Sequence, residues 1–260
     1  MVAKKVDALF HRIKRLTGKA IGDFKLIEEG DRIAVGVSGG KDSYTLLDIL
    51  EALRKKAPVK FELIAVNVDS GFSGYRTDII EQHLQKKAYR YHLEATEVYQ
   101  IIDEKRKPGS SYCAFCARLR RGILYTVAEK FGCNKIALGH HLDDFIETLL
   151  LNQFYVGTLA AMSPKLLADN GRHTVIRPLV YVEESDIIEY SQRVEYPIIN
   201  CSCPVEGTVD QKRQRMKQLI DELAKDIPQV RNSMISALGN VLPRHLLDKN
   251  LAEARKDLQK

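Results

Sequence analysis

The chain has 260 residues, enough for one large domain with appendages, and its 45% apolar and 28% charged content suits a water-facing globule with a packed core. Its 40 basic and 34 acidic residues leave a net charge of +6, too mild an excess to identify a partner by itself. No run of eighteen apolar residues is present, which excludes a membrane-spanning helix, and the first twenty residues lack the continuous apolar stretch and cleavage site of a signal peptide.

Taken in chain order, Val6, Leu9, Phe10, Ile13 and Ala20 recur at helical spacing between basic residues, which predicts an amphipathic helix. Arg32 to Val37 is a short apolar run that reads as a buried strand, and Asp42 to Lys56 carries Leu46, Leu47, Leu50 and Leu53 on one helical face. Phe61–Val68 and Tyr91–Thr96 are expected as strands, with a helix over Arg76–Tyr89 between them. Lys105 to Tyr112, with Pro108, Gly109 and two serines, is expected to be a mobile loop. A helix follows from about Ala117 to Phe131, then a strand at Lys135–Leu138, a helix at Leu142–Tyr155, a further strand at Val175–Ile176 and a helix at Glu184–Arg193. From Val209 onward the pattern is helical and charged. Strands alternating with helices favour an α/β fold, a parallel sheet flanked by helices. The expected organisation is a basic N-terminal helix over 1–25, a nucleotide-binding domain over 26–205 and a helical tail over 206–260.

Ser38-Gly39-Gly40-Lys41-Asp42-Ser43 lies between the first strand and its helix. Glycines let backbone N–H groups approach an anion, the helix N-terminus adds partial positive charge, and Lys41 adds a full one. Asp42 suits an anion site only if a cation is also present, which implies a metal bridging phosphate oxygens. The common G-x-x-x-x-G-K-[ST] loop is excluded by Val35 and Asp42. The hexapeptide instead resembles the S-G-G-x-D-S signature of the PP-loop ATP pyrophosphatases, a Rossmann-like, adenine nucleotide alpha hydrolase-like fold. The resemblance implies that the loop holds the β- and γ-phosphates of ATP and that cleavage falls between the α- and β-phosphates.

Gly139-His140-His141-Leu142-Asp143-Asp144 opens a later helix, so that carboxylates stand at a strand end in a parallel sheet. They are candidate Mg²⁺ ligands or helix N-caps, and the two roles are compatible. PP-loop enzymes acting on tRNA carry a similar G-H-x-x-D-D motif, which makes Asp143 the candidate catalytic carboxylate. Asp69, at the end of the second strand, fits the rim of a nucleotide pocket.

Five cysteines, an odd number with no secretion signal, point to a reducing compartment, and the cytoplasm is the expected location. Cys113-x-x-Cys116 has the spacing of metal ligation or a redox pair, and Cys201-Ser202-Cys203-Pro204 lies far downstream. Four thiolates would close a zinc site, whereas three around an iron–sulfur cluster would leave one iron open. Cys133 reads as a small packed residue.

Cys113-Ala-Phe-Cys116-Ala-Arg118-Leu-Arg120-Arg121-Gly122-Ile-Leu-Tyr125 resembles the tRNA 2-thiocytidine synthetase family. Ile136 to Asp144, Ser163-Pro-Lys-Leu166, Ile176-Arg-Pro-Leu179 and Tyr196-Pro-Ile-Ile199 extend the resemblance, which runs from about Phe24 to Cys203. It implies thiolation at C2 of the cytidine at tRNA position 32, with ATP, Mg²⁺ and a [4Fe-4S] cluster held by three cysteines. Cys113 and Cys116 carry over directly. The family's P-C-x-x-C-G stretch, whose second cysteine is the third ligand, here reads Asn200-Cys201-Ser202-Cys203-Pro204, one residue shorter. Cys203 is favoured as the third ligand, with Cys201 as the alternative. Arg120, one turn after Cys116, is a candidate for orienting the base or stabilising charge. Sulfur would come from a donor such as a cysteine desulfurase or free sulfide.

The basic N-terminal helix and Lys212 to Lys217 are candidate tRNA contacts. Whether the tail serves tRNA or a homodimer is left open at this level. Two other readings stand beside this one. One is a PP-loop ligase without sulfur chemistry, such as lysidine synthetase. The other is a non-enzymatic RNA-binding protein with a structural zinc site.

Overall fold

The apolar runs of the first half become a sheet because their side chains alternate between two cores. In the computed structural model, which describes residues 2–105, 112–169, 171–199 and 211–247, with the backbone alone at 2–7, 103, 113, 114 and 244, strand β1 spans Arg32–Gly36. Ile33 and Val35 enter one core and Ala34 the other, as the two-residue period of a strand requires. Strands β2 (Glu62–Asp69), β3 (Tyr91–Ala95), β4 (Lys135–Ala137), β5 (Lys165–Leu167) and β6 (Thr174–Ile176) complete a six-stranded sheet of order β3-β2-β1-β4-β6-β5. All neighbours are parallel except β5 with β6.

Helices cover both faces. On one, α1 (Val2–Asp23), α2 (Lys41–Arg54) and α7 (Glu184–Val194) bury Ile13, Leu46, Leu50 and Ile187 against β1 and β2. On the other, α5 (Tyr112–Lys130) lays Leu124, Val127 and Ala128 on Ala34, Ile64, Val66 and Ile136. Leu46 and Leu50 are fully enclosed, so truncating either to Ala would cost about 2–5 kcal/mol. α6 (Leu142–Leu151) is joined by α8 (Gln211–Asp226) through a cluster of Leu142, Ile146, Leu150, Met216 and Ile220, against which Met234 and Ile235 of α9 (Val230–Gly239) pack. None of the described helices is long and apolar enough to cross a membrane.

Four features depart from the sequence reading. Helix α5 begins at Tyr112 rather than Ala117, so Cys113 and Cys116 ride on its first turns. The reason is a small apolar cluster in which Cys116, with Tyr112, Phe115 and Leu119, packs on Phe72, Val98 and Ile102. Val98 and Ile102 belong to a short helix, α4 (Val98–Lys105), that the sequence reading left out. The helix expected through Tyr155 stops at Leu151 and continues as a π-helical turn, Asn152–Val156. The edge strand β5 was also missed, being three residues long and antiparallel. The expected mobile loop is bounded by α4 and α5, and its residues 106–111 lie outside the described residues.

Candidate functional site

The chain runs outward from β1 to β2 and β3, then returns to β4 on the other side of β1. That reversal opens a crevice at the carboxyl ends of β1 and β4, where ligands bind in open α/β sheets. Both glycine motifs lie there. A cavity of about 410 Å³ occupies the crevice; Ser38, Asp42 and Ser43 line it from the β1–α2 turn, and Gly139, His140 and Asp144 from the β4–α6 turn. Arg120 and Arg121 of α5 and Arg213 of α8 close the opposite side.

The β1–α2 turn is held by its own serines. Ser43 Oγ donates to the Gly40 carbonyl at 2.9 Å and accepts from Ser38 N–H at 3.2 Å, while Gly40 N–H meets Ser38 Oγ at 3.4 Å. Gly39 has φ +84°, and a side chain there would collide with Ile199 Cγ1. Ile199 N–H also donates to the Gly39 carbonyl at 3.1 Å. Gly139 is needed for another reason, since an added Cβ would lie 3.0 Å from the Asp42 backbone carbon and 3.2 Å from Ser43 N. The two motifs are therefore in van der Waals contact through backbone.

Lys41 is turned to Glu184 Oε1 at 3.0 Å and to Asp42 Oδ1 at 3.0 Å, and it is not among the residues lining the cavity. Burial alone would lower its pKa, but Asp42 and Glu184 outweigh that and raise it. Burial would likewise raise the Glu184 carboxyl, yet its bonds to Lys217 and Lys41 hold it down to about 2. The adjacent carboxylates of α6 have different partners. Asp143 Oδ1 meets Arg231 Nε at 2.8 Å and its Oδ2 accepts the Glu184 N–H at 2.7 Å, so both oxygens face protein donors. Asp144 faces the cavity, accepts the His141 N–H at 3.0 Å, and pairs with Arg213 at 3.0 Å. His141 Nε2 stands between the two cavity carboxylates, 3.7 Å from Asp42 Oδ1 and 3.5 Å from Asp144 Oδ2.

The site also contains groups to which the sequence reading gave no role. His140 is half-buried at the cavity wall, and its desolvation, with Arg177 and Arg213, outweighs Asp144 and lowers its pKa to about 4. It is therefore neutral near pH 7, and its Nδ1 accepts from Arg177 Nε at 3.3 Å. Arg177 is anchored by the Ser163 carbonyl at 2.6 Å. Glu147, one turn beyond Asp144, is pushed up to about 7 by burial against the pull of Arg213, 3.6 Å away. The sequence signals for these groups were membership of a quoted motif for His140 and Arg177, a place one turn beyond a motif for Glu147, and a basic run for Arg213.

Asp69 is not on the cavity wall. Its carboxylate accepts Gly71 N–H and Thr77 Oγ1–H, both at 2.8 Å, and so ties the turn after β2. Cys116 is buried beside Ala117, which does line the cavity. The structure brings the phosphate loop, Asp144, Arg120 and the turn after Cys116 around one space. It leaves Lys41, Asp143 and Asp69 outside that wall. Cys201 and Cys203 lie outside the described residues. Among the described residues no three His, Cys, Asp or Glu side chains are grouped to hold a metal ion.

The PP-loop domain family matches residues 8–200. The tRNA-cytidine(32) 2-sulfurtransferase of Syntrophotalea carbinolica is 68% identical over 247 residues, covering 95% of each chain. That of Geobacter sulfurreducens is 62% identical over 93% of this chain and 94% of its own. Among solved structures, the U34-tRNA thiolase NcsA from Methanococcus maripaludis, determined with its [4Fe-4S] cluster, superposes with a TM-score of 0.73 at 23% identity, covering 93% of this chain and 80% of that one, and so shares the fold. The zinc-bearing, non-enzymatic alternative falls away with these relatives. A phosphate loop at the sheet's switch point, its Asp-Asp helix start and relatives matched end to end agree: the chain belongs to the tRNA-cytidine(32) 2-sulfurtransferase family of PP-loop enzymes, which thiolate tRNA.

Proposed function

We propose that the protein converts the cytidine at position 32 of a tRNA anticodon loop to 2-thiocytidine. ATP first activates the C2 oxygen, and sulfur then displaces it. The observation that carries this reading is the single cavity with the phosphate loop on one wall and the helical turn after Cys116 on the other. Activation and sulfur delivery are adjacent there.

Oxygen is a poor leaving group, so the C2 oxygen attacks the α-phosphate and pyrophosphate departs. Sulfide then adds at C2, and the C–O bond breaks with release of AMP. The backbone N–H groups of Gly39 and Gly40, with Ser38 and Ser43, suit the β- and γ-phosphates. Arg120, Arg121 and Arg213 face the same space and offset the charge of the transferring phosphoryl group. Neutral His140 adds no charge to the pocket and is oriented by Arg177. Asp42 and Asp144 are the carboxylates that line the cavity, and that position suits them to Mg²⁺ better than Asp143, which does not line it. Lys41 then acts by balancing the carboxylates around the loop.

Cys113 and Cys116 are three positions apart in the first turns of α5, a spacing that suits two soft thiolate donors to one metal centre. The third donor is Cys203, with Cys201 as the alternative. Four residues of chain reach at most about 14 Å, and the late cysteines follow Ile199, which is bonded to the phosphate loop. Cys113, Cys116 and Cys203 would hold a [4Fe-4S] cluster, which would supply the sulfur-transfer chemistry, with a cysteine desulfurase or free sulfide as the sulfur source. The test is thiolation of a cytidine-32 tRNA by anaerobically purified protein with ATP and sulfide, read by mass spectrometry of the nucleosides. Cys113→Ala is expected to abolish both the iron content and the 2-thiocytidine; full-rate thiolation by that variant would rule the cluster out.

A further inference from the structure

Beyond Leu151 the chain exposes apolar groups in close succession: Phe154 (59% exposed), Tyr155 (47%), Val156 (67%) and Leu159 (58%). Such a patch marks a binding surface when it is held in place. This one is held. Thr158 N–H donates to the Asn152 carbonyl at 3.0 Å, Asn152 Nδ2 donates to the Ala160 carbonyl at 2.8 Å, and Gly157 closes the π-helical turn at φ +74°. The aromatic rings are thus displayed on a fixed loop.

Positive charge stands directly against it. From Gln211 to Ile220, α8 carries Lys212, Arg213, Arg215 and Lys217 and no carboxylate. Lys212 Nζ sits 4.7 Å from the centroid of the Tyr155 ring. Its neighbour Arg213 lines the cavity and reaches Asp144 at 3.0 Å and Thr148 Oγ1 at 3.5 Å, one turn before the exposed loop. A line of contacts therefore leads from the cavity along α6 and α8 to the exposed rings. Rings beside cations are what unpaired bases and their phosphates bind, by stacking and charge together.

We infer that the Asn152–Val156 turn and the start of α8 form a stacking platform for unpaired bases of the tRNA substrate, next to the entrance of the cavity. This rests on the tRNA reading above and names the surface that holds the loop while one base enters. The probe is an anticodon stem-loop RNA with a cytidine in its loop, titrated against the full chain at several salt concentrations. The doubly substituted Phe154→Ala/Tyr155→Ala protein is expected to bind it about tenfold or more weakly. Its melting temperature and ATP binding stay unchanged, because both rings are solvent-facing. Tyr155→Phe keeps the ring and the affinity. Lys212→Ala lowers the slope of log affinity against log salt by about one, whereas the double variant leaves the slope alone. A wild-type protein that does not bind the stem-loop would overturn the tRNA reading and the platform together. Wild-type binding that the double variant matches would overturn the platform alone. A wild-type dimer that the double substitution splits without loss of RNA affinity would assign the patch to a second copy, and also overturn the platform.

Discussion

The two walls of the cavity are built in different ways. One consists of the β1–α2 and β4–α6 turns, where the chemistry is largely backbone and the parallel pairing of β1 with β4 sets the geometry. The other consists of Arg120, Arg121 and Arg213, side chains carried by helices remote from one another in the chain. The first wall tolerates almost no added volume, as Gly39 and Gly139 show. The second depends on long side chains in ion pairs, such as Arg213 with Asp144. Shape is fixed on one side and charge is adjusted on the other.

Each of four predictions tests that contrast, taken from the largest effect down. Arg231→Ala leaves the enclosed Asp143 carboxylate without its cation. The expected loss is about 3 kcal/mol or more of unfolding free energy, read from urea midpoints; a loss below about 1 kcal/mol would mean that water screens this seam. Gly139→Ala pushes against the Asp42 and Ser43 backbone, and is expected to lower pyrophosphate release about 100-fold while costing about 1–3 kcal/mol of stability. If activity survives, the first wall is not rigid.

The third prediction concerns Glu147. Its folded pKa of about 7 lies above the unfolded value of about 4.3, so the folded state holds the proton more tightly. Stability linked to this group is present below the unfolded value and is lost as pH rises through about 7. Glu147→Gln removes that dependence, so its advantage over wild type in urea midpoint grows between pH 5 and pH 8. An advantage that does not change with pH would contradict the placement of this carboxyl. The smallest effect is expected at Asp69. Asp69→Asn weakens two hydrogen bonds in a turn off the cavity, costing about 1 kcal/mol of stability and leaving the KM for ATP within about twofold. A tenfold rise in KM would bring Asp69 back to the nucleotide.

What the sequence made legible follows the same division. The parallel sheet, the switch-point turns and the Asp-Asp helix start were readable because short local patterns specify them: alternation in Ile33–Val35, glycines before Lys41, carboxylates after Gly139. The partners of those carboxylates were not. Nothing local says that Asp143 faces Arg231, 88 positions away, while Asp144 faces Arg213, 69 positions away. Nor does spacing show that Lys41 turns to Glu184. The start of α5 was misplaced for a similar reason. Its first turn is specified by packing on α4, a helix of only eight residues whose apolar pattern is too short to read by itself.

One consequence concerns the order in which the chain is made. Asp143, Asp144 and Glu184 are synthesised well before Arg213, Lys217 and Arg231, the cations that pair with them. Until α8 and α9 dock, Asp143 and Asp144 lack their arginine partners beside the phosphate loop, and Glu184 has Lys41 but not Lys217. Fewer cations then offset the charge of an approaching triphosphate, so the docking of α8 and α9 completes the electrostatics around the loop.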